Sequence, residues 1–281
     1  PLGTLVYVRQ GRREHCAFAY EESWLVNPER FNVSADLQLT AVHQAHKALS
    51  PHDSVFHGAI ADTTPDAWGR RVIARDHAKR RKADPHLAAL SELDYLLAVD
   101  DFSRVGALRL RDQTRGWLRT VPKGRRATPP LIELERIYNA SRAVEQGQET
   151  ADDLRYLQGK GTSLGGMRPK CTLVDDDGRL AIGKFPSVAD ARSVTRGEVL
   201  ALKLAAQAGI DAAPARIVLL GDKGGEIPVA VIRRFDRDGD DGRVPCSLIV
   251  FEAEAVARLM QLRTGASVAA AGALKVGIFT G

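Results

Sequence analysis

The order of predicted elements between residues 150 and 235 constrains the fold more than any other feature. In chain order these elements are a helix (150–158), a glycine-rich loop (159–170), two strands joined by a tight turn (171–175 and 179–185), a helix (about 195–208) and two strands (215–220 and 227–235). Thr195 as N-cap and Glu198 three residues later have the spacing of a capping box, and Gly209 is expected to end that helix. The pattern predicts a small sheet with a helix inserted between its strands.

The first 111 residues predict a second unit of strands and helices. Its predicted strands cover 4–10, 15–20, 36–40 and 105–111, and its predicted helices cover about 63–80 and 91–99. The longer helix is expected to begin with Thr64 as N-cap and Pro65 at the first helical position. The shorter helix opens at Ser91, with Asp94 three residues later.

A proline-rich stretch separates the two units. VPKGRRATPP, residues 121–130, contains three prolines, one glycine and three cations, which is typical of a linker. A chain of 281 residues is long for one core, so two lobes are expected, with the boundary near 112–130. The fold class is therefore α/β (α+β).

Composition and charge exclude some classes of protein. No run of about 18 apolar residues occurs, so a membrane partner is not expected. Cys16, Cys171 and Cys246 fit no zinc or disulfide spacing, which indicates a reducing cytoplasm. The net charge of +5 permits a polyanionic partner without requiring one. The basic stretch 77–82 fits either a solvated helix end or a nucleic-acid patch.

The loop GTSLGGMRPK, residues 161–170, has a composition that favours phosphate binding but matches neither common loop. Gly161 and Gly166 have the Walker A spacing, yet Met167 and Arg168 stand where lysine and a hydroxyl residue are required. The dinucleotide-binding pattern also fails, because Leu164 occupies the third glycine position.

A protein-kinase arrangement fits the order of residues better. In that arrangement a glycine-rich loop covers the phosphates, a lysine on a later strand contacts them, and a helix glutamate orients the lysine. Lys184 and Glu198 occur in this order, and IRRF (232–235) falls where a hinge would bind adenine. Each residue also has a simpler explanation: Lys184 as a surface lysine, and Glu198 as part of the capping box.

Several motifs together resemble the HipA family, the serine/threonine kinase toxins of bacterial toxin–antitoxin pairs. The stretches that resemble family motifs, in chain order, are TTPDAWGRR (63–71), DDFSRVGALRL (100–110), GTSLGGMRPK (161–170), AIGKFPS (181–187), GEVLALKLAAQAGI (197–210) and VAVIRRFDR (229–237). The resemblance implies an N-terminal HipA-like domain (1–111), a linker (112–130), a kinase-like ATP-binding N-lobe (131–245) and a divergent tail (246–281).

The resemblance also implies roles for individual residues. Ser163 would be the loop serine whose autophosphorylation switches such kinases off, since phosphoserine would repel the ATP phosphates. Lys184 would bind the α- and β-phosphates and Glu198 would orient it. The remaining ATP-binding residues implied by the family are Leu164, Gly165, Gly166, Lys170, Arg233 and Phe235. The family often has glutamate where Arg233 stands, so only its backbone contacts would carry over.

The family's catalytic residues have no counterpart here. The D-G-x-x-x-N loop and the second aspartate that holds Mg²⁺ do not occur after residue 245, so no catalytic residue and no metal ligand is assigned. ATP and Mg²⁺ are cofactors of the parent family, and the Mg²⁺ ligands would be missing. We therefore expect a truncated or frameshifted chain, or a fragment beginning at Pro1, that is not a competent kinase.

Partners follow from the same resemblance. The family implies a small DNA-binding antitoxin of the HipB type, DNA bound indirectly through it, and a protein substrate such as an aminoacyl-tRNA synthetase or a translation factor. The alternative is a non-catalytic module that binds antitoxin and joins the repressor complex, or a remnant of a toxin gene.

Two possible metal sites are weak on sequence grounds. Asp236, Asp238 and Asp240 match the first positions of a calcium loop, but Asp241 replaces its glycine, so an exposed turn is favoured. The histidines at 43, 46, 52 and 57 are close in sequence, yet no carboxylate or cysteine partner stands at ligand spacing.

Overall fold

A three-stranded and a four-stranded antiparallel sheet organise the fold. It is given by a computed structural model that describes residues 2–46, 53–112, 116–118, 128–158, 166–221, 226–238, 242–243, 246–249 and 276–279. The described strands are β1 (Gly3–Gln10), β2 (Arg13–Tyr20), β3 (Gln44–Ala45), β4 (Arg111–Asp112), β5 (Gly116–Trp117), β6 (Lys170–Val174), β7 (Leu180–Lys184), β8 (Ala215–Leu220), β9 (Ile227–Arg233), β10 (Arg237–Asp238), β11 (Gly242–Arg243), β12 (Cys246–Ile249) and β13 (Val276–Phe279). The mixture of sheets and helices confirms the predicted α+β class.

The described helices cover these sheets. They are α1 (Glu22–Leu25), α2 (Gly58–Ala61), α3 (Ala67–Ala83), α4 (Glu92–Ala98), α5 (Leu134–Gln146), α6 (Ala151–Leu157) and α7 (Val194–Gln207), and a 3-10 turn at Leu131–Glu133 precedes α5. Helices α4 and α6 begin with the capping boxes Ser91–Asp94 and Thr150–Asp153, in which side chain and backbone satisfy each other's hydrogen bonds.

The first sheet has the strand order β1-β2-β3. The hairpin of β1 and β2 pairs Gly3 with Tyr20 at its open end, and β3 pairs with β2 through Ala17 and Phe18. One face is buried against α2 and α4, with Phe18, Tyr20, Phe56 and Leu96 among the buried residues.

The second sheet has the order β6-β7-β9-β8 and is covered on both faces. Leu173, Ala181, Val229 and Val231 lie in one buried cluster with residues of α5 and α6. Ala230 and Ile232 pack with Val199 of α7 on the other face. Because successive strand residues point to opposite faces, the sequence alternation divides these residues between the two helix layers.

Gly183 allows the close packing of α5 on this sheet. A Cβ atom at this position would come within 2.9 Å of Leu173 Cδ2 and 3.2 Å of Leu134 Cδ2. A larger residue would push the helix layer away, so the glycine before Lys184 has a structural reason to be there.

The largest buried cluster joins the two predicted units. Trp68 and Val72 of α3 lie in the same cluster as Leu134, Leu154 and Leu173, and Trp68 is 1% exposed. At the end of the predicted linker, Val174 N–H donates to the Pro129 carbonyl at 2.9 Å. The core of the second sheet therefore includes part of the N-terminal unit.

A buried polar network makes a second connection between the units. Arg234 is 3% exposed and donates to the Ser103 carbonyl at 2.6 Å and to Asp236 Oδ1 at 2.8 Å. Asp236 Oδ2 accepts from Gly106 N–H at 2.8 Å and from Arg237 at 2.7 Å. The prediction that Asp236 belongs to an exposed turn is wrong, because its carboxylate is buried between two arginines. The side chains of residues 238–241 lie outside the described residues.

Two predicted strands are wrong. Residues 36–40 form turns and bends, with Leu37 N–H donating to the Ser34 carbonyl at 3.1 Å, and the strand next to β2 is β3 instead. Of residues 105–111 only Arg111 lies in a strand. Gly106 has φ of 72° and donates to Asp236, so this segment is held by the polar network rather than by a sheet.

Two predicted helix starts are also wrong, each by two residues. Helix α3 is capped by Asp66, whose Oδ1 accepts from Gly69 N–H at 2.6 Å, while the Thr64 hydroxyl donates to the Ala61 carbonyl at 2.7 Å. Helix α7 has Ser193 rather than Thr195 at its N-cap, with no side-chain cap. Gly209 follows the end of α7 with φ of 80°, as predicted.

Replacing Asp236 by asparagine should destabilise the fold by about 3–5 kcal/mol, because a buried carboxylate charge that pairs with Arg234 and Arg237 is lost. Asp177→Asn is the control, since Asp177 pairs with Arg233 where both side chains are over a third exposed, and should cost less than about 1 kcal/mol. Urea unfolding of both variants measures the difference, and equal effects would contradict the burial of the network.

The decrease in the free energy of unfolding at acid pH should also depend on Asp236. Burial raises the pKa of Asp236, but the hydrogen bonds and charges of Arg234 and Arg237 outweigh it and leave the pKa below its ordinary value. A lowered pKa means that the stabilisation is present above the unfolded-state pKa of about 4 and is lost as the pH falls through the folded-state value. Asp236→Asn should therefore lose less stability than the wild type when unfolding is compared at pH 6 and at about pH 3.

Candidate functional site

Two lysines lie directly opposite each other on neighbouring strands of the second sheet. Lys170 opens β6 and Lys184 ends β7, and the antiparallel register pairs the two residues. Like charges placed opposite each other across a sheet are unfavourable, so each ammonium needs a carboxylate of its own. The structure supplies these carboxylates from two different helices.

Lys184 is paired with Glu198 of α7. The ammonium group contacts Glu198 Oε1, and the two side chains are 27% and 32% exposed. Because α7 begins after Ser193, Glu198 lies more than one turn inside the helix and does not cap it. The capping-box explanation of Glu198 is therefore wrong, and the predicted proximity of Glu198 to Lys184 is observed.

Lys170 is paired with Asp66 from the N-terminal unit. The distance from Lys170 Nζ to Asp66 Oδ2 is 2.8 Å, and the two side chains are 2% and 4% exposed. Burial lowers the pKa of Lys170, whereas the charge of Asp66 opposes that shift. The family role of Lys170 in ATP binding stays a prediction, and in this structure its ammonium serves an ion pair between the units.

The end of the glycine-rich loop is fixed to both units. The Gly166 carbonyl accepts from Trp68 N–H at 3.2 Å, and the Pro169 carbonyl accepts from Phe185 N–H at 3.0 Å. Gly166 has φ of 93°, a conformation that glycine adopts readily. A Cβ atom at Gly166 would lie 3.3 Å from Lys170 Nζ, so a side chain here would crowd the buried ammonium.

Sequence reasoning missed the role of Arg168. Its guanidinium forms two contacts with Asp190, one of them from NH1 to Oδ2 at 2.8 Å. Asp190 also accepts from Ser187 N–H at 3.0 Å, which ties the loop to the turn after β7. The only sequence signal is the position of Arg168 where a Walker loop has a hydroxyl residue, and that signal does not identify its partner.

The remaining predicted site residues divide into two groups. Ser163, Leu164 and Gly165 lie outside the described residues. Arg233 pairs in the sheet with Ala181, three residues from Lys184 on β7, and its side chain contacts Asp177 in the β6–β7 turn. Phe235 is 48% exposed. The buried residue of this segment is Arg234, whose part in the fold the sequence did not predict.

Among the described residues of this site, the ammonium of Lys184 is the group that an anion can reach. Lys184 is the accessible ammonium of the pair, it is held by one carboxylate, and it lies beside the strand that leads out of the glycine-rich loop. An ammonium held in this way offers a point charge and hydrogen-bond donors to a phosphate.

Comparison with known families agrees with this arrangement. The model of the HipA N-terminal domain matches residues 1–110, and the model of the HipA-like C-terminal domain matches residues 162–269. The chain belongs to the HipA family. At the family level it is a HipA-like toxin, a type of protein found with an antitoxin partner.

The HipA-like match corrects one expectation. It continues to residue 269, so the resemblance does not end near Cys246. No individual curated protein matches the chain closely enough to be reported as a relative. Among the described residues, every helix is too short or too polar to cross a bilayer.

The histidine prediction also needs correction. Asp36, His46 and His57 place their ligand atoms within 4.8 Å of one another. The carboxylate comes from a residue before the histidines, at a spacing that no local pattern marks. His43 and His77 are not members of this cluster, and His52 lies outside the described residues.

Replacing Asp66 by asparagine isolates the buried charge pair. Asparagine can still accept from Gly69 N–H and cap α3, but it removes the carboxylate charge 2.8 Å from the buried Lys170 ammonium, at a cost of about 3–5 kcal/mol. Adding Lys170→Met should recover most of the stability, because the buried charge is then removed. Thermal and urea unfolding measure both variants.

The control for this experiment is Asp152→Asn. Asp152 pairs with Arg155 on the surface of α6, where the two side chains are 83% and 72% exposed. It should change stability by less than about 1 kcal/mol. An Asp66→Asn effect as small as this would contradict a structural role for the pair.

Proposed function

We propose that this chain binds ATP through Lys184 and Glu198, as the nucleotide-binding half of a HipA-type protein-serine kinase. The observation that carries the proposal is the Lys184–Glu198 ion pair between a sheet strand and a helix beside the glycine-rich loop. In protein kinases, the corresponding lysine contacts the α- and β-phosphates, and the glutamate keeps it in place.

The exposure of the two lysines supports Lys184 as the phosphate ligand. Its side chain is 27% exposed, whereas that of Lys170 is 2% exposed and is neutralised by Asp66. Leu164, Gly165 and Gly166 would supply backbone N–H groups to the phosphates. Ser163 would be the site of inhibitory autophosphorylation. The bases of kinases bind at the hinge through backbone groups, a role we assign to residues 233–235.

Mg²⁺ fits this chain less well than ATP. Asp236 is the acidic residue nearest to the expected hinge in sequence, and both of its oxygens accept from arginines or from Gly106. The D-G-x-x-x-N pattern does not occur in the printed sequence. We therefore propose that these 281 residues bind nucleotide without transferring its γ-phosphate.

A second candidate is a module that binds an antitoxin without catalysis. The match to the HipA N-terminal domain and the lack of the catalytic pattern in the printed sequence favour it. The partner would be a small DNA-binding antitoxin, and DNA would be contacted through it. A protein substrate, such as an aminoacyl-tRNA synthetase or a translation factor, belongs only to the kinase proposal. We propose a cytoplasmic site of action, because cysteines such as Cys16 and Cys171 stay reduced in that compartment.

Nucleotide binding should depend on Lys184. The change Lys184→Met should weaken binding of a fluorescent ATP analogue about 10-fold to 100-fold, because a charge-assisted hydrogen bond contributes about 1.5–3 kcal/mol. Lys203→Met is the matched control, since Lys203 is an exposed lysine of α7 and should leave affinity unchanged. Equal affinities for all three proteins would reject the proposed site.

Phosphoryl transfer is tested separately with γ-labelled ATP and Mg²⁺. We expect no label on the wild-type chain, on Ser163→Ala or on Lys184→Ala. Label on Ser163 that disappears in both variants would show that catalysis survives in these residues, and the binding-only proposal would be wrong. Because binding and transfer are measured independently, either proposal can fail alone.

A further inference from the structure

The cluster of Asp36, His46 and His57 lies in the N-terminal unit, away from the lysine pair, and nothing in the proposed nucleotide chemistry uses it. His57 precedes α2, His46 follows β3, and Asp36 lies in the turn that precedes β3. His57 Nδ1 is 2.7 Å from Asp36 Oδ2, and His46 Nδ1 is 3.3 Å from the same oxygen. Three potential ligand atoms therefore converge on one point.

The two ring nitrogens of His57 both face oxygen acceptors. Nδ1 faces Asp36 Oδ2, and Nε2 faces the Gln44 carbonyl at 3.0 Å. A neutral imidazole has only one N–H, so it can satisfy only one of these acceptors. A metal cation between Nδ1 and the carboxylate would let Nε2–H donate to the Gln44 carbonyl while Nδ1 and Asp36 both contact the cation.

We propose that Asp36, His46 and His57 bind a divalent transition-metal cation of the zinc class. Zn²⁺ takes imidazole and carboxylate ligands at about 2.0–2.2 Å, which in a tetrahedral site separates the ligand atoms by about 3.3 Å. The distance from His46 Nδ1 to Asp36 Oδ2 already has this value. The distance from His57 Nδ1 to Asp36 Oδ2 would open by about 0.6 Å when the cation replaces the bridging proton.

The groups around the three ligands have the arrangement of an outer coordination shell. The Gln44 carbonyl can accept His57 Nε2–H, which leaves the lone pair of Nδ1 for the metal. Ser34 contacts the other carboxylate oxygen of Asp36 and also accepts from Ala59 N–H at 3.3 Å, so the carboxylate is held in orientation.

The solvent exposure of the three side chains and the hydrogen bonds that hold the loop before β3 also suit a metal site. The side chains are 40%, 19% and 3% exposed for Asp36, His46 and His57, so the cluster opens to solvent on the aspartate side. A water molecule would take the fourth position there. The segment between Asp36 and β3 is closed by two hydrogen bonds between Gln38 and Gln44, at 2.7 Å and 2.8 Å, which hold the carboxylate opposite the histidines.

Zinc binding by the full chain tests the proposal directly. Tag-free protein kept reduced with a non-chelating phosphine should bind one Zn²⁺ per chain in competition with a chromophoric chelator. His46→Gln should weaken binding by roughly 100-fold or more, because loss of a ligand exceeds the effect of losing an outer-shell partner. Ser34→Ala should weaken it by about 10-fold. Circular dichroism checks that His46→Gln, altered at a partly exposed position, is folded.

His43→Gln is the matched control. His43 is exposed and lies three residues before His46, outside the cluster, so zinc affinity should be unchanged. Binding of Co²⁺ should give a d–d spectrum without a thiolate charge-transfer band, which separates this site from the cysteines. The proposal is wrong if the wild type binds no zinc, if His43→Gln loses as much affinity as His46→Gln, or if thiolate bands appear.

Discussion

Lys170 and Lys184 lie opposite each other on adjacent strands, and the fold depends on neutralising both of them. Glu198 approaches Lys184 from the helix inserted between β7 and β8. Asp66 approaches Lys170 from the start of α3, 104 residues away along the chain. Only an arrangement that brings both helices to the same sheet satisfies the two charges, because a buried lysine without a counter-charge is costly.

The two ion pairs differ in their exposure to solvent, and this difference separates the roles that the two lysines can have. The Lys170–Asp66 pair is buried and also caps α3, so its charge serves to hold the N-terminal unit against the second sheet. The Lys184–Glu198 pair remains open to solvent and can exchange part of its interaction for a ligand. The ammonium of Lys170 is therefore enclosed in a buried ion pair, whereas the ammonium of Lys184 is within reach of solvent.

Residues that resemble family motifs have structural explanations in this chain as well. Arg234 and Asp236, which lie between β9 and β10, hydrogen-bond to the backbone of residues 103–106, so two of the stretches that resemble HipA motifs contact each other. The hydrogen bonds between these stretches and the packing of Trp68 with Leu173 connect the same two units. In this chain, these stretches therefore form contacts between the two units.

The sequence by itself determined most elements of the second sheet and the proximity of Lys184 to Glu198. Strand β8 follows its apolar pattern, Gly209 follows the end of α7, and α4 and α6 begin at their capping boxes, because these features depend on neighbouring residues. The kinase-like order of loop, strand lysine and helix glutamate, together with the resemblance to the HipA family, predicted that Lys184 and Glu198 meet. Helix starts were mistaken where two candidate caps stood close together, as at Thr64 and Asp66.

Only the tertiary structure decided which distant charges meet. Asp66 both caps α3 and pairs with Lys170, 104 residues away along the chain, while the role of Lys170 in ATP binding stays a prediction. Asp36 carries no local sign that it will face His46 and His57, and Asp236 none that it will be buried. Backbone periodicity and capping are local, whereas burial and ion pairing depend on how the units pack, so the sequence pattern could not specify these partners.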